Sequence, residues 1–144
     1  MLTGADAALV IGDNALLWDH ESLQIHEPGL SAPRRVTKID LGEAWTSMTG
    51  LPFVWALWAG RPGAVDPEDV RALQETRDRA VDRPDLVSCE YFQAAPDHVE
   101  IGTRYLRENI KYYLGSDECA ALELFYRYAA DIGLVPGTAP LRFY

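Results

Sequence analysis

The stretch Ala7-Ala8-Leu9-Val10-Ile11-Gly12-Asp13 gives the clearest indication of the fold class in this sequence. Five apolar residues in succession predict a strand buried on both faces, and the glycine and aspartate that follow predict the turn at its end. Strands of this kind are typical of parallel sheets, in which helices cover both sides. The stretch therefore predicts an α/β protein.

A second buried strand is predicted over residues 53–59, which read Phe-Val-Trp-Ala-Leu-Trp-Ala between Pro52 and Gly60. The run is rich in aromatic and apolar residues and has the length of a strand. Two short strands do not form a stable sheet alone, and the first begins almost at Met1. We therefore expect another segment to supply the rest of the sheet.

The remainder of the chain shows helical spacing and helix-capping residues. Residues 19–38 are mostly polar and predict a loop or a short edge strand. The three tryptophans Trp45, Trp55 and Trp58 are interpreted as core residues. The predicted helices cover Leu41–Thr49, followed by Gly50; a segment from Asp66-Pro67 to Pro84; residues 98–114, ended by Gly115; and a segment from Ser116 to Gly133.

Composition excludes several classes of partner and site. The net charge is −9, from 22 acidic and 13 basic residues, and no basic patch is present, so we expect no nucleic-acid partner. Cys89 and Cys119 belong to no zinc or disulfide pattern. The histidines His20, His26 and His98 lack metal-ligand spacing, so no metal site is predicted.

Apolar runs are too short for a membrane span or a signal peptide. The longest, residues 51–60, falls well below the roughly 20 residues that cross a bilayer. The run at residues 7–11 is shorter than the apolar core of a secretory signal. We expect a cytoplasmic protein without a membrane partner.

The best candidate site is Gly12-Asp13-Asn14, because ligands of open α/β sheets bind beyond the carboxyl ends of strands. Glycine lets the backbone approach a ligand closely, and Asp13 can accept a hydroxyl group or exchange a proton. The alternative is purely structural: Asp13 caps a helix that begins near Ala15.

Three stretches, in order, resemble a known family. They are residues 5–16 (ADAALVIGDNAL), residues 40–45 (DLGEAW) with 49–58 (TGLPFVWALW), and residues 105–134, which begin YLRENI. Together they resemble the menaquinone-biosynthesis enzymes of the futalosine route, and among them the chorismate dehydratases. The fold of that family is similar to the type II periplasmic binding proteins, with two α/β lobes around a ligand cleft.

The resemblance implies that this chain is the carboxy-terminal half of such a fold. Residues 1–50 would end the second lobe, residues 51–59 would be a crossover strand, and residues 60–144 would complete the first lobe with helices. A sister enzyme, dihydroxynaphthoate synthase, has a counterpart of Ile11-Gly12-Asp13 that looks like Ile-His-Glu. Gly12 at the histidine position, and Pro52-Phe53-Val54-Trp55 in place of a Pro-Leu-Gly crossing, favour the dehydratase.

The implied reaction removes water from chorismate to give 3-[(1-carboxyvinyl)oxy]benzoate, without a cofactor or a metal. Asp13 would be the catalytic residue, and Gly12 and Asn14 would bind substrate. Because the amino-terminal loops of the family have no counterpart here, we expect the chain to be inactive alone. It would need the missing half or a second copy. The alternatives are a binding module for small anions and a ligand-free fragment on the same scaffold.

Overall fold

The computed structural model describes residues 5–18, 24–25 and 34–143, with the backbone alone at residues 24–25 and 34–35. The chain divides into two compact units, Met1–Asp40 and Leu41–Tyr144. They are called the first and second units below. Assignment of residues 1–50, 51–59 and 60–144 to lobes and a crossover stays a prediction.

The described residues of the first unit form one short helix and one pair of short strands. Helix α1 covers Asp13–Leu17, and strands β1 (Gln24–Ile25) and β2 (Arg34–Arg35) pair antiparallel. Gln24 lies opposite Arg35, and Ile25 lies opposite Arg34. The pair falls within residues 19–38, where a loop or a short edge strand is predicted. The rest of residues 19–33 lies outside the described part.

The predicted strand at residues 7–11 is wrong for the described chain. These residues form neither strand nor helix, and the side chains of Leu9 and Ile11 are 74% and 72% exposed. A strand forms only when a neighbour accepts and donates its backbone hydrogen bonds. No such neighbour of residues 7–11 is present among the residues that the structure describes.

The second predicted strand, residues 53–59, is wrong for the same reason. The segment has no regular structure. Of the three tryptophans interpreted as core, Trp45 is buried, whereas Trp55 is 64% and Trp58 89% exposed. The α/β prediction is therefore confirmed only in its helical part, because the described chain is mostly helical. The one sheet among the described residues is the β1–β2 pair, in which each strand has two residues.

The second unit is built from helices joined by irregular segments. Helix α2 has the predicted bounds, and Gly50 follows it in the left-handed conformation (φ 72°), as expected for a residue that ends a helix. Gly133 (φ 74°) ends the last helix in the same way. The helices are α2 (Leu41–Thr49), α3 (Pro67–Val81), α4 (Pro84–Tyr91), α5 (Val99–Glu108) and α6 (Ser116–Asp131), with a 3₁₀ turn at Pro96–His98.

The start of α3 shows the predicted cap. The carboxylate of Asp66 accepts hydrogen bonds from the backbone N–H groups of Glu68 (2.8 Å) and Asp69 (2.9 Å). The Asp69 carboxylate accepts one from the Asp66 N–H (3.2 Å). Pro67 occupies the first helical position, where its missing N–H costs nothing. These contacts fix where the helix begins.

Two predictions about the middle of the chain are wrong. The helix predicted over residues 98–114 ends at Glu108, and Gly115 (φ −91°) does not terminate it. Gly115 instead precedes α6, where its N–H donates to Glu118 Oε2 at 2.9 Å. The sequence prediction lacks helix α4, because a proline at residue 84 indicates the end of a helix. Pro84 lies in the first turn of α4 and begins a helix there.

One part of the core lies around Trp45 of α2. The ring centroids of Phe53, Phe125 and Tyr128 lie 5.5, 6.0 and 6.0 Å from that of Trp45, all edge-on. The indole Nε1–H donates to the carbonyl oxygen of Pro52 at 3.1 Å. Trp45 therefore ties α2, the segment after it and α6 together, and it satisfies its own polar group.

A second part of the core is the crossing of α4 and α5. Ser88 is 1% exposed, and its hydroxyl donates to the carbonyl oxygen of Val99 at 2.8 Å. Gly102 faces this contact. A Cβ atom at Gly102 would lie 2.5 Å from Ser88 Oγ and 2.6 Å from a ring carbon of Phe92. The two helices can approach this closely only because residue 102 has no side chain.

A polar cluster on the surface joins α3 to the segment after α5. The Arg77 guanidinium contacts Asp78 Oδ1 at 2.8 Å and lies 4.4 Å from the centroid of the Tyr113 ring. The Tyr113 hydroxyl donates to the same Asp78 oxygen at 3.0 Å. The hydrogen bond from Arg77, with that from Tyr113, lowers the pKa of Asp78. The bond to Asp78 raises the pKa of Tyr113.

Replacing Gly102 with alanine should destabilise the second unit. The new methyl group would overlap Ser88 and Phe92, and overpacking of this kind costs about 1–3 kcal/mol, more than the helix propensity gained from alanine. Urea unfolding followed by circular dichroism measures the change. Gly137→Ala is the control, because a Cβ there meets no atom within 4 Å. Equal stability of the two variants would contradict the close packing.

Replacing Asp78 with asparagine should lower the pKa of Tyr113 towards its ordinary value, because the carboxylate that accepts its hydroxyl is lost. The raised pKa of Tyr113 adds to the free energy of unfolding below the ordinary tyrosine pKa, and this contribution is lost as pH rises through the raised pKa. The lowered pKa of Asp78 adds to the free energy of unfolding above the ordinary aspartate pKa, and this contribution is lost as pH falls through the lowered pKa. Carbon-13 NMR of labelled tyrosine measures the titration.

Asp82→Asn is the matched control for this titration. Asp82 acts on Tyr113 through charge alone and has the smallest of the effects that shift this pKa. The Asp82→Asn substitution should therefore shift the pKa of Tyr113 less than Asp78→Asn does. A larger shift in the control would show that general charge, and not the hydrogen bond, sets the pKa.

Candidate functional site

Gly12, Asp13 and Asn14 lie together at the start of α1, in the first unit. Asp13 is the first helical residue, and Gly12 precedes it at the N-cap position. The N-cap position that the structural alternative assigned to Asp13 is occupied by Gly12, one residue earlier. All three residues are exposed, so their polar groups lie at the surface of the unit.

The backbone of Gly12 adopts a conformation that side chains disfavour. Its φ is 63° and its ψ is −149°, which is a region populated almost only by glycine. Its carbonyl oxygen accepts hydrogen bonds from the N–H groups of Ala15 (2.9 Å) and Leu16 (3.0 Å). A Cβ at Gly12 would meet no atom within 4 Å. The glycine is thus required by backbone geometry and leaves open space beside the turn.

Backbone N–H groups and one carboxylate occur together in this turn. The first N–H groups of a helix have no acceptor within the helix, so the N–H of Asn14 is suited to an external acceptor. No side chain caps α1. The Asp13 carboxylate is next to these donors in sequence, and a carboxylate is an ordinary general base. Sequence reasoning selected these residues by their place after an apolar run, although that run is not a strand here.

The second unit has a small cleft next to Trp45. Its cavity volume is about 10 Å³, far below the roughly 300 Å³ at which ordinary ligand pockets begin. Its lining is apolar, and the one indole N–H present already donates to Pro52. The cleft therefore has neither the size nor the charge to hold an anionic substrate. It is lined by Trp45, Pro52, Phe53, Val54, Ala121, Leu122 and Phe125.

The described residues offer no metal site. They contain no group of three or more histidine, cysteine, aspartate or glutamate side chains placed to hold an ion. His98 lies edge-on to Phe92 with ring centroids 5.7 Å apart, and His20 and His26 lie outside the described residues. Cys89 and Cys119 are free thiols. Among the helices of the described chain, none has the length and apolar character needed to cross a bilayer.

Gly12→Ala should open the first turn of α1. The φ of 63° would cost an alanine about 1–3 kcal/mol, so the amides of Ala15 and Leu16, which donate to Gly12, should exchange with solvent at least about 5-fold faster. Amide exchange followed by NMR measures this. Asn14→Ala is the control, since it removes a side chain from the same turn without backbone strain. Unchanged exchange in Gly12→Ala would contradict the conformation.

Comparison with known proteins gives consistent results. A family model described as menaquinone biosynthesis matches residues 1–131. The chain is 30% identical over 130 residues to chorismate dehydratase of Thermus thermophilus, an alignment that covers 87% of this chain and 48% of that enzyme. The chain thus spans about half the length of this curated relative. No solved structure matches it significantly.

The two matches agree with the resemblance seen in residues 5–16, 40–45, 49–58 and 105–134. The family match covers most of the sequence, and the relative from Thermus thermophilus is named as a chorismate dehydratase. On these grounds the chain belongs to the menaquinone-biosynthesis family.

Proposed function

We propose that this chain is part of a lyase that dehydrates chorismate to 3-[(1-carboxyvinyl)oxy]benzoate in menaquinone biosynthesis. The observation that carries the proposal is the 30% identity to a chorismate dehydratase over 130 residues. The family match over residues 1–131 supports the pathway. We further propose that the enzyme acts in the cytoplasm and needs no cofactor.

The active protein would contain a complementary half. The chain covers 48% of its relative, and two apolar segments, residues 7–11 and 53–59, have no sheet neighbours among the described residues. A complementary half would supply such neighbours. The complete protein would then have the two-lobed fold of type II periplasmic binding proteins, with residues 1–50 in the second lobe, 51–59 crossing and 60–144 completing the first.

The chemistry suits the candidate site. Dehydration takes one proton and one hydroxide from the ring, which becomes aromatic, so water is the only by-product. The protein therefore has to orient a dianion, accept the proton and stabilise the departing hydroxide. Asp13 would accept the ring proton or contact the hydroxyl group. The backbone N–H groups of Gly12 and Asn14 would contact an anionic oxygen of the substrate.

The conformation of Gly12 favours the dehydratase over the sister synthase. In the synthase, the counterpart of Gly12 looks like a histidine. At φ 63° and ψ −149°, a histidine would be strained by about 1–3 kcal/mol. The backbone at this turn is thus adapted to glycine. This supports a site that uses an aspartate and backbone donors and has no catalytic imidazole at residue 12.

Asp13→Asn should abolish most turnover while substrate binding persists. The amide cannot accept a proton but keeps a similar shape, so kcat should fall about 10²–10⁴-fold. The chain would be co-expressed with the uncovered half of the Thermus thermophilus enzyme, and product formation from chorismate measured. Asp97→Asn replaces another exposed aspartate, outside the candidate site, and should leave kcat unchanged.

Other outcomes favour the alternatives. Full activity of Asp13→Asn would reduce Asp13 to a structural residue. Chorismate binding without turnover in the unmodified complex would indicate a binding module, and a flat titration would indicate a ligand-free fragment. We expect no dehydration by the chain alone, because the proposed complementary half would supply the rest of the cleft. Turnover by the isolated chain would contradict the need for a second half.

A further inference from the structure

Helix α3 is a long helix with little burial. None of its 15 residues is buried, and even Leu73 is 43% exposed. Apart from Val70, its half-buried residues all lie near its carboxyl-terminal end: Arg77, Ala80 and Val81. A helix that buries no face is not fixed in place by a hydrophobic core. The contacts at its carboxyl-terminal end therefore decide where α3 lies.

The helical conformation of α3 is stabilised by contacts within the helix itself. Asp66 and Asp69 form a reciprocal capping box at its start. Glu68 and Asp69 place negative charge at the positive end of the helix dipole, and Arg79 places positive charge in the last turn. These contacts persist wherever the helix lies, so α3 can change position without losing its structure.

The connections on both sides of α3 have the features of hinges. Before the helix, Gly63 has a φ of 75°, in a segment that also contains Gly60 and Pro62. After it, Asp82 and Arg83 alone separate α3 from α4, and Arg83 (φ −132°, ψ 55°) lies outside the helical region. Hinges are a few residues at the ends of elements that absorb changes in φ and ψ. Residues 82–83 are placed to do so.

A polar clasp holds the end of α3 against the segment between α5 and α6. The Tyr113 hydroxyl, in that segment, donates to Asp78 Oδ1 at 3.0 Å, a contact that spans 35 residues. The Arg77 guanidinium lies 4.4 Å from the centroid of the Tyr113 ring and contacts the same Asp78 oxygen at 2.8 Å. All three side chains are at the surface, where water competes for each of these contacts. The clasp is therefore specific in geometry but easily opened.

The crossing of α4 and α5 shows how a fixed helix is held in the same unit. There, Ser88 is 1% exposed, and Gly102 lets the two helices approach until a Cβ atom would overlap their side chains. Interfaces packed this closely have one arrangement. No residue of α3 reaches such burial. The α4–α5 pair is thus a rigid frame, against which α3 is held by surface contacts.

We propose that α3 is a movable arm, which swings as a rigid helix about residues 82–83, and that Tyr113 is the latch that holds it in its docked position. The docked and released positions differ by a few surface contacts, so loss of one of them shifts the population measurably. The inference is independent of the proposed function, because every contact that it uses lies within the second unit.

The test is double electron–electron resonance on the full chain with two nitroxide labels. One label is attached to the exposed native Cys89 of α4, and the other to Arg71→Cys on the exposed part of α3, with Cys119→Ser to remove the second native thiol. Tyr113→Phe keeps the ring beside Arg77 and removes the hydroxyl. It should raise the ratio of released to docked arm about 5-fold, as expected for one hydrogen bond. Far-UV circular dichroism should stay unchanged, because the contacts that form α3 are local.

Tyr112→Phe is the matched control. The Tyr112 hydroxyl donates to the carbonyl oxygen of Leu106 at 3.2 Å, a contact six residues away that does not involve α3, so its loss should leave the distance between the labels unchanged. An unchanged distance distribution in Tyr113→Phe, or an equal change in both variants, overturns the proposal. Loss of helical signal in Tyr113→Phe also overturns it, since α3 would then melt instead of swinging.

Discussion

A β-strand cannot satisfy its own backbone, because its N–H and C=O groups point sideways to where neighbouring strands must lie. A helix satisfies most of these groups within itself. This difference governs the described chain. Its helices α2 to α6 are formed, whereas residues 7–11 and 53–59, which have the composition of interior strands, are irregular and exposed. The described residues thus form the elements that close their own hydrogen bonds, and the two strand-like segments stay irregular.

Sequence signals that act within one or two turns predicted the structure well. Asp66 and Pro67 fix the start of α3 through contacts no more than three residues away. Gly50 and Gly133 end their helices in the left-handed conformation, which glycine adopts without strain. The bounds of α2 follow directly from such signals. The rule that a proline ends a helix failed at Pro84, because proline is equally suited to the first turn of the next one.

Predictions that depended on distant partners failed or remained open. The helical spacing of Ile110 and Tyr113 continues that of α5, yet the helix ends at Glu108 and the Tyr113 hydroxyl contacts Asp78 of α3. Periodicity cannot report such a contact, which spans 35 residues. Burial of Trp55 and Trp58 was inferred from hydrophobicity alone. Hydrophobicity indicates that a surface is to be covered but does not say by which polypeptide.

At the candidate site, too, the sequence predicts the local turn but does not predict which other residues would hold a substrate. Sequence and structure agree that a glycine precedes an aspartate at a turn, and the φ of 63° at Gly12 gives the glycine a physical reason. Nothing in residues 12–14 supplies the cationic or hydroxyl groups that would hold both carboxylates of a dianion, and the apolar cleft beside Trp45 supplies none either. A dianion is held tightly only by several converging donors. If the chain acts on chorismate, the donors that hold its two carboxylates must therefore lie outside residues 12–14 and outside this cleft.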